Sequence, residues 1–445
     1  MKKIRFLILL FITFSLFNSC MTMADYDYTE IDTAINSSDY ITASDFLDKN
    51  QNRYYSSKEN VLLYLDQGII NHFLGEYEKS NEQLSLAETE IEQNFTKSIS
   101  QKIGQNIIND NIVEYAGETY EDIYTNIFMC LNYIHLNKID DAFVEIRRFD
   151  NKMKFVGVKY QALIDEAKIQ LKNDYNYYDS NQIDNKIKFH NSAFARYLSM
   201  LLYRTENDLN SAEIDYNKII EAFDFQKSIY NFHIPDSLKD ELNVPKNMAR
   251  VNVISMVGRS PIKQEEVLRI PFDGAYYKLA LPVLKCSDTK VSCIEIIFKD
   301  KSTNDEFECY LEMIESIENI MNDLFQHHYD AIYTRTLLRS IAKATGSLVL
   351  DAVSENSDDA NVQLLFGFLN IISQITTEAT ERADVRSSRY FPELICIGGI
   401  NLEPSIYDVT VNYYDKKLKL IYSHSIENLT VEKNKLNLIE SVYQR

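Results

Sequence analysis

The sequence predicts an α+β multidomain protein, with an all-α region of helical repeats in its N-terminal half and strands with intervening helices in its C-terminal half. Residues 30–240 have helical periodicity and contain no proline before Pro235. From Val244 onward, short runs of β-branched and aromatic residues are separated by glycine and proline, which is typical of strands. Residues 406–413 alternate tyrosine or valine with polar residues, so the chain should end in a small β-sandwich-like sheet.

The N-terminus has the features of an export signal. Residues 6–17 are mostly apolar and follow three basic residues, Lys2, Lys3 and Arg5. This run is too short to span a bilayer comfortably, and the small residue Ser19 directly precedes Cys20. The pattern resembles bacterial lipoprotein signals, in which the cysteine is lipidated, although Phe17 stands where leucine is usual. We expect a signal peptide over residues 1–19, lipidation of Cys20 and a tether over 20–29; the alternative is a plain signal peptide with an accidental cysteine.

The charge of the chain agrees with a membrane anchor made of lipid alone. The formal net charge is −20, and it becomes −23 without the signal, which carries three basic residues and no acids. So acidic a chain repels nucleic acid and anionic lipid head groups, which excludes nucleic acid as a partner and leaves acyl chains as the membrane attachment. Met21 and Thr22, rather than an acid, follow the cysteine. This resembles outer-membrane sorting, and we expect a periplasmic or surface location.

One stretch of the helical region has the spacing of a tetratricopeptide repeat. Its signature positions are Tyr64, Gly68, Gly75, Tyr77, Ser80, Leu84 and Ala87. Small residues suit places where two antiparallel helices cross closely, and Gly75 can adopt the positive φ that ends the first helix. We expect Tyr77 to wedge the second helix against the first.

The same turn pattern recurs in weaker form along this half of the chain. Ala43, Ala142 and Ala212 each follow a predicted turn at the same offset. Because several units in register are more specific than one, the sequence predicts a tetratricopeptide-like helical-repeat domain over residues 30–240.

An insert over residues 94–122 separates the first two clear units. It is rich in turn-forming residues, so we expect a long loop with a short helix. Tyr115, Tyr120 and Tyr124, with two asparagines, could form a polar-aromatic surface that binds partners or glycans. The other reading, which we prefer slightly, is a strap that packs over the concave face of the repeats.

The C-terminal domain, residues 245–445, should contain strands over 250–300, helices over 310–383 and strands over 393–442. Cys286 and Cys293 flank a turn-like segment between two predicted strands, so a hairpin could place them opposite one another as a disulfide. Buried small hydrophobic cysteines are the other reading, and the odd number that follows Cys20 leaves at least one thiol unpaired.

The C-terminal half also carries a cluster of cations with a neighbouring acid: Arg335, Arg339, Lys343, Asp384, Arg386 and Arg389. The first three are spaced four residues apart, which places them on one face of a predicted helix. In so acidic a protein, five cations could bind an anionic ligand or an acidic partner. The reading that we favour is that they pair with the chain's own carboxylates and dock helices on the sheet.

Landmarks in order along the chain carry a family resemblance. They are residues 63–78, 109–111, Tyr115, 117–118, 132–133, Ala142, Gly258, Pro261, Lys263, 280–282, 335–343, 383–387 and Pro392. The mature chain resembles an uncharacterised family of bacterial envelope lipoproteins with tetratricopeptide-like repeats. The family pattern has a tryptophan near Ser388, and this chain has none. The resemblance implies an exported, lipid-anchored repeat protein, supplies no catalytic residues, and suggests a role in envelope or wall assembly.

The sequence contains no motif that carries reaction chemistry. Its seven histidines are too scattered for a metal site, and it has no phosphate-binding glycine loop and no nucleophile elbow. We therefore expect neither an enzyme nor a cofactor, but an envelope scaffold or adaptor that binds a protein or peptide in the groove of its repeats. The alternative is a glycan- or peptidoglycan-binding lipoprotein that uses the tyrosine insert and the arginines. A third reading is an envelope enzyme of unfamiliar type.

Overall fold

The computed structural model describes residues 26–102, 113–156, 187–272, 275–287, 289–326 and 383–445. Over these residues the protein is α+β, with helices in the N-terminal region and strands in the C-terminal region. The lipidation candidate Cys20 and the basic residues Arg335, Arg339 and Lys343 lie outside the described residues.

The N-terminal region is built from helices, most of which form hairpins with a connection of two or three residues. They are α1 Thr29–Asn36, α2 Tyr40–Lys49, the single turn α3 Gln51–Tyr54, α4 Asn60–Leu74, α5 Tyr77–Lys102, α6 Thr119–His135, α7 139–156, α8 Ala193–Thr205 and α9 Leu209–Phe225. A 3₁₀ turn, Asp236–Asp240, leads from the last of them to the strands. Four hairpins result: α1 with α2, α4 with α5, α6 with α7, and α8 with α9.

The four hairpins turn in the same way. A residue in the turn after the first helix has a positive φ in each: Ser38 (60°), Gly75 (86°), Asn137 (55°) and Asn207 (59°). Five positions later each second helix has a small residue that is fully buried: Ala43, Ser80, Ala142 and Ala212. Because only a small side chain fits where two helices cross at short range, this repeated spacing fixes the hairpin geometry.

The crossing of α4 and α5 shows how tight this packing is. A Cβ on Gly68 would lie 2.6 Å from side-chain atoms of Leu84. The hydroxyl of Ser80 donates a hydrogen bond of 2.7 Å to the carbonyl of Gly68. Tyr77 packs edge-on against His72 of the first helix, but its main contact is a parallel stack on His135 of the next hairpin, 4.4 Å between ring centroids.

The C-terminal region contains ten described strands. They are β1 Ala249–Val257, β2 Ile262–Phe272, β3 Ala275–Lys285, β4 Cys293–Asp300, β5 Glu306–Tyr310, β6 Glu312–Ser316, β7 Leu394–Leu402, β8 Ile406–Tyr414, β9 Leu420–Thr430 and β10 Asn437–Tyr443. The first sheet has the order β10-β1-β7-β6, the second has the order β5-β4-β8-β9, and β2 pairs with β3. A helix, α10 (317–326), follows β6.

The first sheet lies between the helices and the second sheet. Every residue of β1 is buried. Val251 and Val253 contribute to a core shared with the second sheet, whereas Ile254 and Met256 on the opposite face join the core formed with the helices. The last strand, β10, runs parallel to β1, with Val251 opposite Asn437. The described chain therefore has three layers, helices, sheet and sheet, and one apolar core is common to the helices and the first sheet.

Two predicted elements differ from the structure. Residues 310–316, predicted as the start of a helix, end β5 and form β6, which pairs with β7 through Met313 and Cys396. Glutamate, leucine and methionine favour a helix there, but pairing with a buried strand outweighs that preference. The predicted loop from residue 94 is likewise wrong at its start, since α5 continues to Lys102 and Asn94 is buried, donating a hydrogen bond of 3.0 Å to the carbonyl of Tyr115.

The predicted hairpin around Cys286 and Cys293 does not form. β3 pairs with β2 and β4 pairs with β5 and β8, so the strands that flank the two cysteines belong to different sheets. Both residues are free thiols, Cys286 exposed and Cys293 partly buried. The two cysteines therefore form no disulfide in the structure, because the strands beside them do not pair with each other.

Candidate functional site: a polar cleft beside the first helix

The inner face of the helical region is covered by the chain's own C-terminal half. An extended segment, residues 383–393, runs between the helices and the first sheet. The hydroxyl of Ser388 donates to Asp66 of α4 (2.6 Å), and its amide donates to Glu121 of α6 (2.6 Å). Phe391 packs edge-on against Tyr120, Tyr124 and Phe128 of α6, with ring centroids 5.7–6.2 Å apart.

The first sheet covers the rest of this face. Glu315 of β6 is fully buried and accepts hydrogen bonds from the Ser192 hydroxyl (2.6 Å) and the Phe194 amide (3.0 Å), where α8 begins. A carboxylate at a helix N-terminus is stabilised by the helix dipole. At the other end of α8, Arg204 donates to Asn252 of β1 (2.6 Å). Among the described residues, this face of the helices is therefore covered by the chain's own C-terminal half.

The tyrosines predicted to form a partner-binding surface are buried. Tyr115, Tyr120 and Tyr124 are 5%, 3% and 0% exposed. The phenols of Tyr115 and Tyr120 donate to the two oxygens of Glu121 (2.7 and 3.2 Å), and Tyr124 donates to Glu315. All three hydroxyls donate to carboxylates inside the protein. The alternative of a polar-aromatic surface at these tyrosines is therefore wrong.

Buried carboxylates hold the 383–393 segment in place. Burial raises the pKa of Asp66 to about 6, against hydrogen bonds from Ser388, Tyr55 and the Arg389 amide that lower it. Burial and the nearby Glu118 charge raise the pKa of Glu121 to about 7. Such shifts occur at catalytic sites, but neither side chain lines a described cavity, and all the partners are internal. Their role is to anchor the segment.

The described members of the charged cluster form internal ion pairs. Arg386 is buried, pairs with Asp384 through two hydrogen bonds of 2.9 and 2.7 Å, donates to the carbonyl of Val113 and lies over the ring of Tyr115. Arg389 donates to Asp32 of α1 (2.9 Å), and its guanidinium lies 4.2 Å from the ring centroid of Tyr28. Both arginines join the segment to the helices.

Beside Arg389 the structure has an open cleft of about 500 Å³. Its walls come from the start of the described chain, from the first residues of β2 and from the 383–393 segment. They are formed by Tyr26, Asp27, Tyr28, Thr29, Asp32, Ile262, Lys263, Gln264, Glu265, Val385, Ser387 and Arg389. Ligand sites of proteins have volumes of about 300–1,000 Å³. The cleft has the size and the polar groups of a binding site for a small ligand.

Sequence reasoning found Arg389 and missed most of the other cleft residues. Asp27, Asp32 and Gln264 come from two parts of the chain that no local motif connects. A single sequence has no signal for that juxtaposition, because it results from how β2 and the segment pack beside α1.

The helical signature residues lie where the hairpins pack. Gly68 and Ala87 are at the crossing of α4 and α5, and Ala142 and Ala212 are the buried residues that follow their turns. Tyr64 is partly buried against the same core.

The large apolar side chains that are exposed on the described helices follow a common rule. They all lie on the second helices of the hairpins: Ile41, Leu86, Val144, Phe155, Leu209, Ile214 and Phe225. Val144 and Ile214 occupy equivalent positions relative to their turns, and so do Phe155 (65% exposed) and Phe225 (75% exposed). The outward face of the helices thus carries a repeated apolar feature.

One group of three described side chains has metal-ligand chemistry: His233, Asp236 and Glu312 bring their ligand atoms within 4.8 Å of one another. The group is at the surface, and Asp236 is already paired with Lys239 at 2.6 Å. Exposed groups of this kind are common without an ion, so this group is a weaker candidate than the cleft.

No described helix combines the length and apolar character needed to cross a bilayer. Comparison with protein-family models, with curated proteins and with solved structures finds no match to this chain. Any function assigned to this chain therefore rests on its sequence and on the geometry of its described residues.

Proposed function

We propose that this chain is a lipid-anchored scaffold of the bacterial cell envelope that binds a protein partner through tetratricopeptide-like helical repeats. The proposal includes export, lipidation of Cys20, a periplasmic or surface location and membership of the lipoprotein family that the sequence resembles. It takes residues 30–240 as the repeat domain and residues 245–445 as the α+β domain.

The recurring turn supports the repeat assignment. Four hairpins have a positive-φ residue at the turn and a buried small residue five positions later. Repeat proteins stack such units so that each buries the apolar face of its neighbour. The second and third of these hairpins also touch through a stack between their members, Tyr77 and His135.

The observation that carries the proposal is the division between the two faces of the helical region. First helices contact the sheet and the 383–393 segment, whereas second helices present large apolar side chains to solvent. Phe155 and Phe225, at equivalent positions of successive hairpins, are more exposed than a phenylalanine in a monomer usually is. Aromatic residues are enriched at the centres of protein interfaces. We therefore place the partner on the outward face rather than in the predicted groove.

The charge of the chain indicates the kind of partner. Complementary charge steers association, and the mature protein carries about −23 by the sequence count. The partner should be an envelope protein with apolar anchor residues in a basic surround.

Site-specific photo-cross-linking tests the proposal in the intact envelope. A photoreactive residue is placed at position 155 or 225 of the full chain, and, as a control, at Leu418, which is equally exposed (73%) at the tip of the β8–β9 hairpin. Both helical positions should cross-link to one and the same protein, and position 418 should not. The cross-linked protein is then purified, and its affinity for the double variant Phe155→Glu, Phe225→Glu is measured beside that of Leu418→Glu.

The proposal predicts that the double variant binds that protein about tenfold or more weakly, in the range of interface hot spots, and that Leu418→Glu binds normally. It is wrong if positions 155 and 225 give no common cross-link, or if the double variant keeps its affinity while remaining folded by circular dichroism.

The glycan- or peptidoglycan-binding alternative depends on a different observation. Its tyrosine surface is buried, so the cleft beside Arg389 is the feature that keeps it under consideration.

A further inference from the structure

The proposed lipid anchor joins the body of the protein at the cleft beside Arg389. Only residues 21–25 separate Cys20 from Tyr26, the first residue that the structure describes. Six residue steps span at most about 22 Å when fully extended. Tyr26 lines the cleft, and Tyr28, two residues later, is only 5% exposed. An acylated Cys20 would therefore hold the bilayer beside this end of the molecule.

The hairpin formed by β2 and β3 begins at the same end. Residues 262–265 of β2 line the cleft together with Tyr26. β2 has 11 residues, which gives the hairpin a length of about 34 Å. The part of β3 nearer the cleft is packed into the body, since Ala280 and Leu281 are 1% and 2% exposed. Among the described strands, β2 and β3 pair only with one another.

The outer half of the hairpin, residues 268–279, needs a surface to pack on, because a two-stranded hairpin is at best marginally stable alone in water. Its register gives this half two different faces. The residues that share one face are all apolar: Leu268 opposite Leu279, Ile270 opposite Tyr277, and Phe272 opposite Ala275.

The other face of the outer half carries a pair of cations. Arg269 lies directly opposite Lys278. They are the only charged residues of the two strands between Glu266 and Lys285. Like charges that lie opposite one another destabilise a pair of strands in water, and an anionic surface would relieve that repulsion. The register therefore combines an apolar face with a local positive charge in a chain whose net charge is −20.

We propose that the outer half of the hairpin lies on the bilayer that holds the lipid anchor. Its apolar face enters the acyl region, and Arg269 and Lys278 remain at the level of anionic lipid phosphates. Amphipathic segments with leucine and phenylalanine on one face and lysine and arginine on the other lie in this way in the membrane interface. The contact rests on the proposed lipidation of Cys20 and orients the anchored body. The hairpin is too small to retain an unlipidated chain, because a single weak membrane signal gives only reversible binding.

A cysteine scan of the acylated full chain in vesicles tests this contact. The vesicles contain phosphatidylcholine and phosphatidylglycerol, and mass spectrometry reports the acyl groups at residue 20. Single cysteines at positions 268–272 are labelled with a fluorophore in a Cys286→Ser background, which removes the exposed native thiol. A nitroxide on the lipid acyl chains quenches labels that enter the bilayer. Leu418→Cys, at the exposed tip of the β8–β9 hairpin, is the control position, and the Cys286→Ser chain gives the background.

Quenching should alternate along β2, strong at positions 268, 270 and 272, weaker at 269 and 271, and at background at 418. Arg269→Gln combined with Lys278→Gln should lower the ratio of inserted to free hairpin about tenfold or more. Lys416→Gln combined with Lys417→Gln removes the same charge from an exposed turn and should leave that ratio unchanged.

Two results separate this inference from the proposed anchor. An acylated chain that shows no alternation along β2, or that responds equally to the two pairs of substitutions, overturns the hairpin contact and leaves the anchor standing. A chain without acyl groups at residue 20 rejects the anchor, and the contact that depends on it.

Discussion

The imidazole Nε2 of His72 lies 2.5 Å from a carboxylate oxygen of Glu440, so the fourth helix and the last strand of the chain are joined by a buried hydrogen bond. The second oxygen of Glu440 is 2.8 Å from Nε2 of His135. The side chains of His72 and Glu440 are 1% and 8% exposed. One carboxylate from β10 therefore ties two successive hairpins to the first sheet.

The surrounding hydrogen bonds determine the protonation of His72. The Asn132 amide donates to Ser80 (2.8 Å) and Asn81 (2.9 Å), so its oxygen must accept from Nδ1 of His72 (2.6 Å). Because an ionised Glu440 can only accept, Nε2 must carry a proton as well. Burial alone would lower the pKa of His72, but Glu440 outweighs it and raises that pKa. His72 is thus a buried imidazolium paired with a carboxylate.

We predict that this pair makes stability depend on pH. A raised histidine pKa gives stabilisation that is complete below the unfolded value of 6.5 and is lost as pH rises through the folded value. Burial would raise the pKa of Glu440, but the two histidines lower it far below 4.5, so its contribution persists in mild acid. His135 and the Tyr77 phenol are the other titratable groups beside the carboxylate.

The test compares Glu440→Gln with the wild type in urea at pH 6 and pH 9. The variant should lose about 3 kcal/mol of unfolding free energy at pH 6, as when one partner of a buried pair is removed, and clearly less at pH 9. Glu432→Gln is the control, since Glu432 forms an exposed pair with Lys435 just before β10. A small loss, well below 3 kcal/mol, at both pH values would mean that His72 is neutral in the folded state.

Gly68→Ala should destabilise the protein by about 1–3 kcal/mol, because the new methyl group would lie 2.6 Å from Leu84. In a Leu84→Ala background, which is itself destabilised, the added cost of Gly68→Ala should fall below that in the wild type. Thermal unfolding of the wild type, Gly68→Ala, Leu84→Ala and the double variant measures this coupling. Gly75→Ala serves as the comparison. A methyl group added at Gly75 would have no atom within 4 Å, so this variant is strained only by the φ of +86° at that position. Its loss of stability should therefore be the same in the wild type as in the Leu84→Ala background.

Glu121 should titrate near neutral pH. Burial raises its pKa to about 7 from 4.5, so the folded state holds a proton that the unfolded state has released, and the contribution of Glu121 to stability falls as pH rises from 4.5 to 7. In carbon-detected NMR, the carboxyl resonance that Glu121→Gln removes should have its midpoint near pH 7. A midpoint near 4.5 would contradict the buried environment described for this side chain.

Cys20→Ser should release the protein from membranes without changing its fold. Acyl chains are the proposed attachment, and a polar, acidic body offers no replacement. The wild-type chain should sediment with membranes and gain the mass of its acyl groups at residue 20, whereas the variant should be recovered in the aqueous fraction. An unchanged distribution of the variant would contradict lipidation as the anchor.

Local patterns in the sequence predicted the features that local interactions determine. The turn at Gly75, the strand now seen as Ile406–Tyr414 and its pairing with the strand after Lys417 follow from glycine geometry and from alternation of apolar and polar residues. The α+β class is confirmed for the same reason, because residues 30–240 and the strands after Val244 have different periods.

Contacts between distant residues could not be predicted in this way. The parallel pairing of β10 with β1 joins residues 251 and 437, and the alternation of β10 fits a hairpin partner equally well. From the sequence alone, Tyr115 and Tyr120 could be surface residues. Their burial follows from hydrogen bonds to the buried carboxylate of Glu121, which no sequence pattern indicates. In the described half of the charged cluster, Arg386 pairs with Asp384 two residues away, which is the internal ion pairing that the sequence favoured. The partner of Arg389 is Asp32, at the other end of the chain, and no local pattern connects the two.

Hydrogen exchange of the lipidated protein, alone and with its cross-linked partner, tests the central claim most directly. The claim is that the inner face of the repeats is filled by the chain's own 383–393 segment and that a partner binds the outer helices. Binding should slow amide exchange in peptides from residues 139–156 and 209–225 and leave peptides from residues 385–391 unchanged. Faster exchange in residues 385–391 on binding would contradict the claim, because it would mean that the partner displaces the segment and occupies the inner face.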